Sequence, residues 1–247
     1  MLEVCGLCKS FGGLRAVEEA TFDVGKHEIV ALIGPNGAGK TTLFACLAGF
    51  TQPDRGTVRF SGCDITGLPP YRICARGLVR TFQTTQPFLR LSVLENVMVG
   101  AYLTTKKRSQ AMLWAEEVAH LVGMHRQLDV KASVLTLAGR KRLELARALA
   151  TRPKLLLLDE VMSGLNPIEI EEIVRLVRAI CKMGVAILLI EHVMQAVGSL
   201  AERVVVLSNG RIIAAGSPAA IAVDARVIEA YLGPGAAARL QQGSAHA

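Results

Sequence analysis

One stretch constrains this chain more than any other: Gly34-Pro35-Asn36-Gly37-Ala38-Gly39-Lys40-Thr41-Thr42, which fits the pattern GxxxxGK[ST]. The glycines let the backbone curl so that successive N–H groups point inward, which suits the oxygens of a phosphate chain. A helix that starts at the end of such a loop adds its positive dipole end. Lys40 is then placed to reach the β- and γ-phosphates, and the Thr41 hydroxyl to ligate Mg²⁺. The motif needs a strand before it and a helix after it. Residues 28–33 are an apolar run that ends at Gly34-Pro35, and residues 40–49 continue with a helical pattern. The chain is therefore expected to bind ATP and Mg²⁺ on an α/β scaffold.

A second element supports this. Leu155-Leu156-Leu157-Leu158-Asp159-Glu160 is a buried-strand pattern that delivers two carboxylates at its carboxyl end, where open α/β sheets bind ligands. Asp159 is suited to holding Mg²⁺, and Glu160 to polarising an attacking water as general base. Residues 185–190, followed by Glu191-His192, repeat the theme and bring an imidazole to the same edge. The other histidines (27, 120, 125 and 246) sit in no ligand pattern.

The rest of the chain reads as alternating strands and helices. Residues 2–8, 18–24 and 57–60 are expected as short strands, and residues 69–83 as a helix followed by the strand 77–83. From about 92 to 150 the pattern turns helical. Ser92 and Glu95 have capping-box spacing, Ala111, Trp114, Ala115, Val118, Leu121 and Val122 recur at helical spacing, and residues 136–151 form a further helix. Strands at 154–159 and 185–190 flank the helix 167–183 in a βαβ unit, and their continuous apolar character suits a parallel sheet covered on both faces. Ser208-Asn209-Gly210 is a hairpin turn signal between strands at 203–207 and 211–215.

With 51% hydrophobic and 20% charged residues in 247, the chain has a globular composition. Its net charge of +7 suits nucleic acid, a membrane surface or phosphorylated ligands equally, so it does not select a partner. No apolar run approaches the ~20 residues of a membrane helix, and the N-terminus lacks a secretory pattern. Cys5-Gly6-Leu7-Cys8 has no second CxxC and reads as two free thiols. The absence of a disulfide framework favours a reducing, cytoplasmic location.

With these elements in place, the chain resembles ABC-type ATPase subunits over residues 2–232. Besides the P-loop, the Asp159-Glu160 pair and His192, Gln83 in Arg80-Thr81-Phe82-Gln83 matches the Q-loop. Leu135-Thr136-Leu137-Ala138-Gly139, with the helix that follows, matches the register of the LSGGQ signature, and Ser163-Gly164-Leu165-Asn166 stands at the D-loop. Phe11 lies where the family stacks an aromatic on adenine. The resemblance implies a P-loop NTPase (RecA-like) α/β core, an N-terminal antiparallel β subdomain and an inserted α-helical subdomain at 84–151, with a mobile tail at 233–247. It also implies that Glu160, His192 and Gln83 serve hydrolysis, and that Thr41, Gln83 and Asp159 hold the metal. Two such subunits pair head to tail, so that Thr136, Leu137 and Ala138 contact ATP bound to the other subunit. Two integral membrane permease subunits and, indirectly, an extracytoplasmic solute-binding protein complete the assembly on the cytoplasmic face of the membrane.

This chain departs from the family pattern at several points. Leu137 and Ala138 replace the signature glycines, Thr136 its serine, Val161 the proline after Glu160, and Asn166 the D-loop aspartate. Residues 76–83, 94–100 and 164–167, Leu189-Ile190-Glu191-His192 and residues 227–233 are similar to branched-chain amino-acid importer ATPases of the LivG type. Importers of urea and other small amides share these segments. A soluble ABC ATPase acting on nucleic acid or ribosomes, and a nucleotide-binding regulator that does not hydrolyse, are the readings set against it.

Overall fold

The computed structural model describes residues 1–82, 86–233, 235, 236 and 239. In chain order the strands and helices are β1 (Leu2–Phe11), β2 (Leu14–Val24), β3 (Ile29–Ile33), α1 (Lys40–Leu47), β4 (Arg55–Phe60), β5 (Cys63–Asp64), α2 (Pro70–Ala75) and β6 (Leu78–Arg80). Then follow α3 (Val93–Ala101), α4 (Arg108–Leu121), α5 (Leu137–Ala150), β7 (Leu155–Asp159), α6 (Pro167–Lys182), β8 (Ala186–Ile190) and α7 (Met194–Leu200). The chain closes with β9 (Arg203–Ser208), β10 (Arg211–Gly216), α8 (Pro218–Ala222) and α9 (Ala225–Leu232).

Among the described residues the strands form two sheets, one in the order β2-β1-β4-β5 and the other β10-β9-β3-β8-β7-β6. The first is antiparallel. In the second, β3 lies parallel to both β8 and β9, β7 parallel to β8 and β6 parallel to β7, with β10 antiparallel at the edge. The loops at the carboxyl ends of β3, β7 and β8 therefore open on one side of the sheet, which is what places the site.

The continuous apolar strands are explained by two cores. Ile29, Ala31 and Ile33 of β3, Leu156 and Leu158 of β7 and Ile187 and Leu189 of β8 face one core, shared with α3, α4, α5 and α6. Val30, Leu32, Leu155, Leu157, Leu188 and Ile190 face the other, shared with α1 and the antiparallel sheet. Strict alternation assigns successive residues to opposite faces, and both faces are dry, so both residue sets must be apolar.

The helical segment between β6 and β7 is nucleated as its sequence suggests. Ser92 caps α3, accepting from the Glu95 backbone N–H at 3.2 Å while the Glu95 carboxylate accepts from the Ser92 N–H at 2.8 Å. Trp114 packs against the core and donates its indole N–H to the Ala150 carbonyl at 2.9 Å. The segment is not purely helical in the α sense: it holds 3₁₀ turns at His125–Gln127 and Ala132–Val134 and a bridge between Ser92 and Lys131.

Three expectations need correction. The first two strands run well past 2–8 and 18–24 and close as a hairpin at Gly12-Gly13, because one face of this sheet is wet and its polar residues break no apolar run. β4 begins at Arg55 for the same reason. β6 ends at Arg80, short of the expected 83. Gln83, and most of the expected tail at 233–247, lie outside the described residues.

Leu157 is fully buried in β7, with β6 and β8 on either side. Leu157→Ala is expected to destabilise the chain by about 2–5 kcal/mol. A lowered denaturant midpoint at unchanged m-value checks this.

Candidate functional site

The loop after β3 is seated by two close backbone approaches. A Cβ on Gly34 would stand 1.9 Å from the Leu207 carbonyl oxygen of β9, and one on Gly39 would stand 2.0 Å from the Ala16 carbonyl oxygen of β2. Backbone cannot move aside as a flexible side chain can, so each position admits only glycine. Gly39, at φ 104°, is the N-cap of α1 and makes no side-chain cap bond, and the first turn of α1 carries no acidic residue. The N–H groups at this helix start therefore remain turned to the loop, an arrangement that favours an anion.

The turn between β9 and β10 holds the loop from the far side. Gly210 N–H donates to the Ala38 carbonyl at 2.9 Å, and Glu18 N–H of β2 donates to the Gly210 carbonyl at 2.8 Å. Asn209 and Gly210 have φ of 48° and 78°, the conformation that Asn-Gly hairpins favour.

Lys40 is buried in this cradle and donates its Nζ to the carbonyls of Gly34 at 2.7 Å and Pro35 at 2.9 Å. Burial pushes its pKa below the usual lysine range, and the carboxylates of Glu160 and Asp159 oppose that shift. Those carboxylates come from the end of β7. Asp159 is 1% exposed, and its Oδ2 accepts from Arg80 Nη2 at 2.8 Å. Its Oδ1 is buried with no hydrogen-bond partner among the described residues. Thr81 fixes its backbone, the Thr81 Oγ1 accepting from the Asp159 N–H at 3.2 Å.

Glu160 follows at φ 50°, donating its N–H to the Ile190 carbonyl of β8 at 3.0 Å. That sharp turn aims its side chain at His192, whose Nε2 lies 2.5 Å from Glu160 Oε1. The next strand contributes Glu191, whose carboxylate accepts from the Met162 N–H at 2.9 Å. Burial raises the Glu191 pKa, against the pull of its backbone hydrogen bonds.

A cavity of about 530 Å³ collects these groups. Phe11, Leu14 and Ala16 line its apolar end, the loop from Asn36 to Thr42 its floor, and Glu160, His192 and Asn209 its far wall. Phe11 is 52% exposed, with Lys9 Nζ 5.4 Å from its ring centre. A cavity of about 580 Å³ lies elsewhere, lined by Met194, Val197, Ile221 and Tyr231, and it offers no charged side chain for a phosphate.

The structure thus brings Phe11, the P-loop, Glu160 and His192 together, with Asp159 beside them. Thr136, Leu137 and Ala138 are not among the residues lining this cavity. They form the start of α5, where Thr136 is the N-cap and its Oγ1 accepts from the Gly139 N–H at 3.2 Å. Asn166, at the expected D-loop, proves to be a helix cap: its side chain accepts from Glu169 N–H at 3.0 Å in a capping box that opens α6.

Sequence reasoning missed Arg80, Lys141, Glu191 and Asn209 as parts of the site. For Lys141 there was a signal. It lies on the apolar stripe that continues through Leu145 and Ala148, and a lysine there must find a buried partner. Arg80 carried no comparable signal, since its partner is distant in sequence.

A strand, a glycine loop, a helix start without a side-chain cap and a carboxylate pair at the end of β7 define a P-loop nucleotide-binding cassette. Residues 17–163 match the family described as ABC transporter, and residues 211–234 match the family described as branched-chain amino acid ATP-binding cassette transporter. The chain belongs to the ABC transporter family, in its branched-chain amino acid ATP-binding cassette branch. It is 39% identical over 249 residues to the high-affinity branched-chain amino acid transport ATP-binding protein BraF of Pseudomonas aeruginosa, covering 94% of this chain and 98% of that protein. The identity to LivG of Escherichia coli K12, which carries the same description, is 39% over 253 residues, with 94% and 98% covered. Among solved structures, an ATP-binding cassette of an ABC transporter in its ADP conformation superposes with a TM-score of 0.86 at 31% identity, covering 94% of this chain and 98% of that one.

Gly39→Ala is expected to weaken ATP binding at least ~tenfold, since the added carbon forces the helix start away from Ala16 and disperses the N–H groups of the cradle. Equilibrium binding of a fluorescent ATP analogue measures it.

Proposed function

We propose that this chain binds ATP with Mg²⁺ and hydrolyses it as the energy-coupling subunit of an importer for branched-chain amino acids or similar small polar solutes. The observation that carries this reading is the single cavity in which the P-loop, Lys40 and the Glu160–His192 pair converge. The relatives named above, covered almost end to end, support the transported class.

In this reading Phe11 stacks on the adenine, and the backbone N–H groups of the loop's later part and of the helix start, Gly37 and Gly39 to Thr42, hold the phosphate chain. Lys40 exchanges its contacts with Gly34 and Pro35 for phosphate oxygens, which offset its buried charge better than neutral carbonyls do. Glu160 accepts a proton from the attacking water, and His192, whose Nε2 lies against that carboxylate, orients it beside the terminal phosphate. The hard oxygens that Mg²⁺ requires are available in Thr41 and in the unpartnered Asp159 Oδ1; the family resemblance adds Gln83, which lies outside the described residues. Bound there, the metal supplies charge neutralisation on the phosphate oxygens.

The start of α5, with Thr136, Leu137 and Ala138, serves the nucleotide of a second ATPase subunit paired head to tail. Two permease subunits in the cytoplasmic membrane receive the motion on its inner face, and a solute-binding protein delivers the cargo outside. The described residues contain no helix long and apolar enough to cross a membrane, so in this reading the permease subunits supply the membrane path.

Glu160→Gln removes the base and keeps the shape. In the assembled transporter it is expected to lower ATP turnover by about 10²–10⁴-fold while ATP affinity stays within about twofold. Solute uptake that survives Glu160→Gln in every nucleotide site contradicts the proposal.

A further inference from the structure

Lys141 is the buried cation that the proposed chemistry leaves unused. It lies in the second turn of α5, is 4% exposed, and donates its Nζ to the backbone carbonyl of Glu160 at 2.9 Å. Glu144, Glu191, Glu160 and Asp159 surround it with negative charge. The same carbonyl also accepts from the Ser163 N–H at 3.2 Å, and the Glu160 N–H is held by Ile190. Lys141 is therefore one of three groups that fix the peptide on either side of a glutamate at φ 50°, a conformation that a non-glycine residue keeps only where its surroundings enforce it.

A second contact runs alongside. A Cβ on Gly164 would stand 3.0 Å from Leu137 Cδ2, so the Leu137 side chain lies directly over the Gly164 backbone. The first turns of α5 thus grip the segment after β7 at both ends, Leu137 at residue 164 and Lys141 at residue 160. Leu137 and Lys141 are one helical turn apart on the same face of a rigid rod. Displacement of the start of α5 must carry the Glu160 peptide with it or break the Lys141–Glu160 hydrogen bond.

We propose that Leu137 and Lys141 form a strut through which contact at the N-terminus of α5 sets the Glu160 carboxylate of the same chain. The proposal rests on the head-to-tail pairing given above. In that arrangement Thr136 touches nucleotide held by the second subunit, whereas Glu160 acts on nucleotide held by its own. The strut then makes hydrolysis at one site depend on occupancy of the other. Lys141 and Leu137 are positioning residues in this device, and neither touches the reacting atoms of its own site.

A double-mutant cycle in the assembled transporter tests it, with ATP turnover and ATP affinity both measured. Thr136→Ala removes a contact at the far end of the strut, and Lys141→Met removes its donor. Each single variant is expected to lower kcat about tenfold, Lys141→Met with its ATP affinity unchanged, and the double variant to stay within about threefold of the slower single one. Lys141→Arg, which keeps a buried donor, restores turnover. A double variant slowed by about the product of the two effects overturns the strut, as does a loss of ATP affinity in parallel with kcat in Lys141→Met. If Lys141→Met does not fold, Lys141→Gln takes its place in the cycle with the same expected and overturning results. A wild-type complex that does not hydrolyse ATP contradicts the functional reading itself. An active wild type with a multiplicative cycle contradicts the strut alone.

Discussion

Two backbone approaches, Gly34 against Leu207 and Gly39 against Ala16, set the position of everything else at this site. They seat one loop between the parallel sheet and the antiparallel sheet with no side chain intervening. A loop held this closely is fixed without the ligand's help, so little ordering remains to be done on binding. The hairpin turn at Asn209-Gly210 closes the third side by hydrogen bonds to Ala38 and Glu18. The antiparallel sheet thus does more than carry Phe11: through β2 it is part of the wall against which the phosphate cradle is built.

Around that seat the charges are arranged in buried opposition. Lys40 faces Asp159 and Glu160, Arg80 clamps Asp159, and Lys141 sits among Glu144 and Glu191. Buried charges persist only with partners close by. Here the partners come from different elements: β6 meets β7 through Arg80, and α5 meets the turn after β7 through Lys141. Each contact therefore locks two elements together. Phe82 donates its N–H to Glu144 of α5 at 2.6 Å. The residues after β6, Asp159 and the helix α5 consequently belong to one connected framework.

Much of this was legible in the sequence, for identifiable reasons. The P-loop announces itself because its function requires glycine at fixed offsets, and β3, β7 and β8 because strands dry on both faces leave continuous apolar runs. The Ser92–Glu95 cap and the Asn209-Gly210 turn are local chemistry, visible within a few residues. What stayed hidden depends on partners distant in the chain. Arg80 meets Asp159 across 79 positions, and nothing near Arg80 signals it. Residues 9–11 and 14–17 of the first hairpin were lost because a half-wet sheet needs no apolar run. Asn166 departs from the D-loop aspartate of the family, and the structure gives it a reason of its own as the cap of α6.

The proposed function ties the chemistry in this cavity to transport, and phosphate release from the complete transporter in proteoliposomes tests that coupling most directly. With ATP and Mg²⁺ on the side of this subunit, release is measured with and without binding protein loaded with a branched-chain amino acid on the other side. Such coupling predicts that the loaded binding protein raises the rate severalfold and that Lys40→Ala abolishes it. A rate indifferent to the loaded binding protein, or one that survives Lys40→Ala in every nucleotide site, contradicts it.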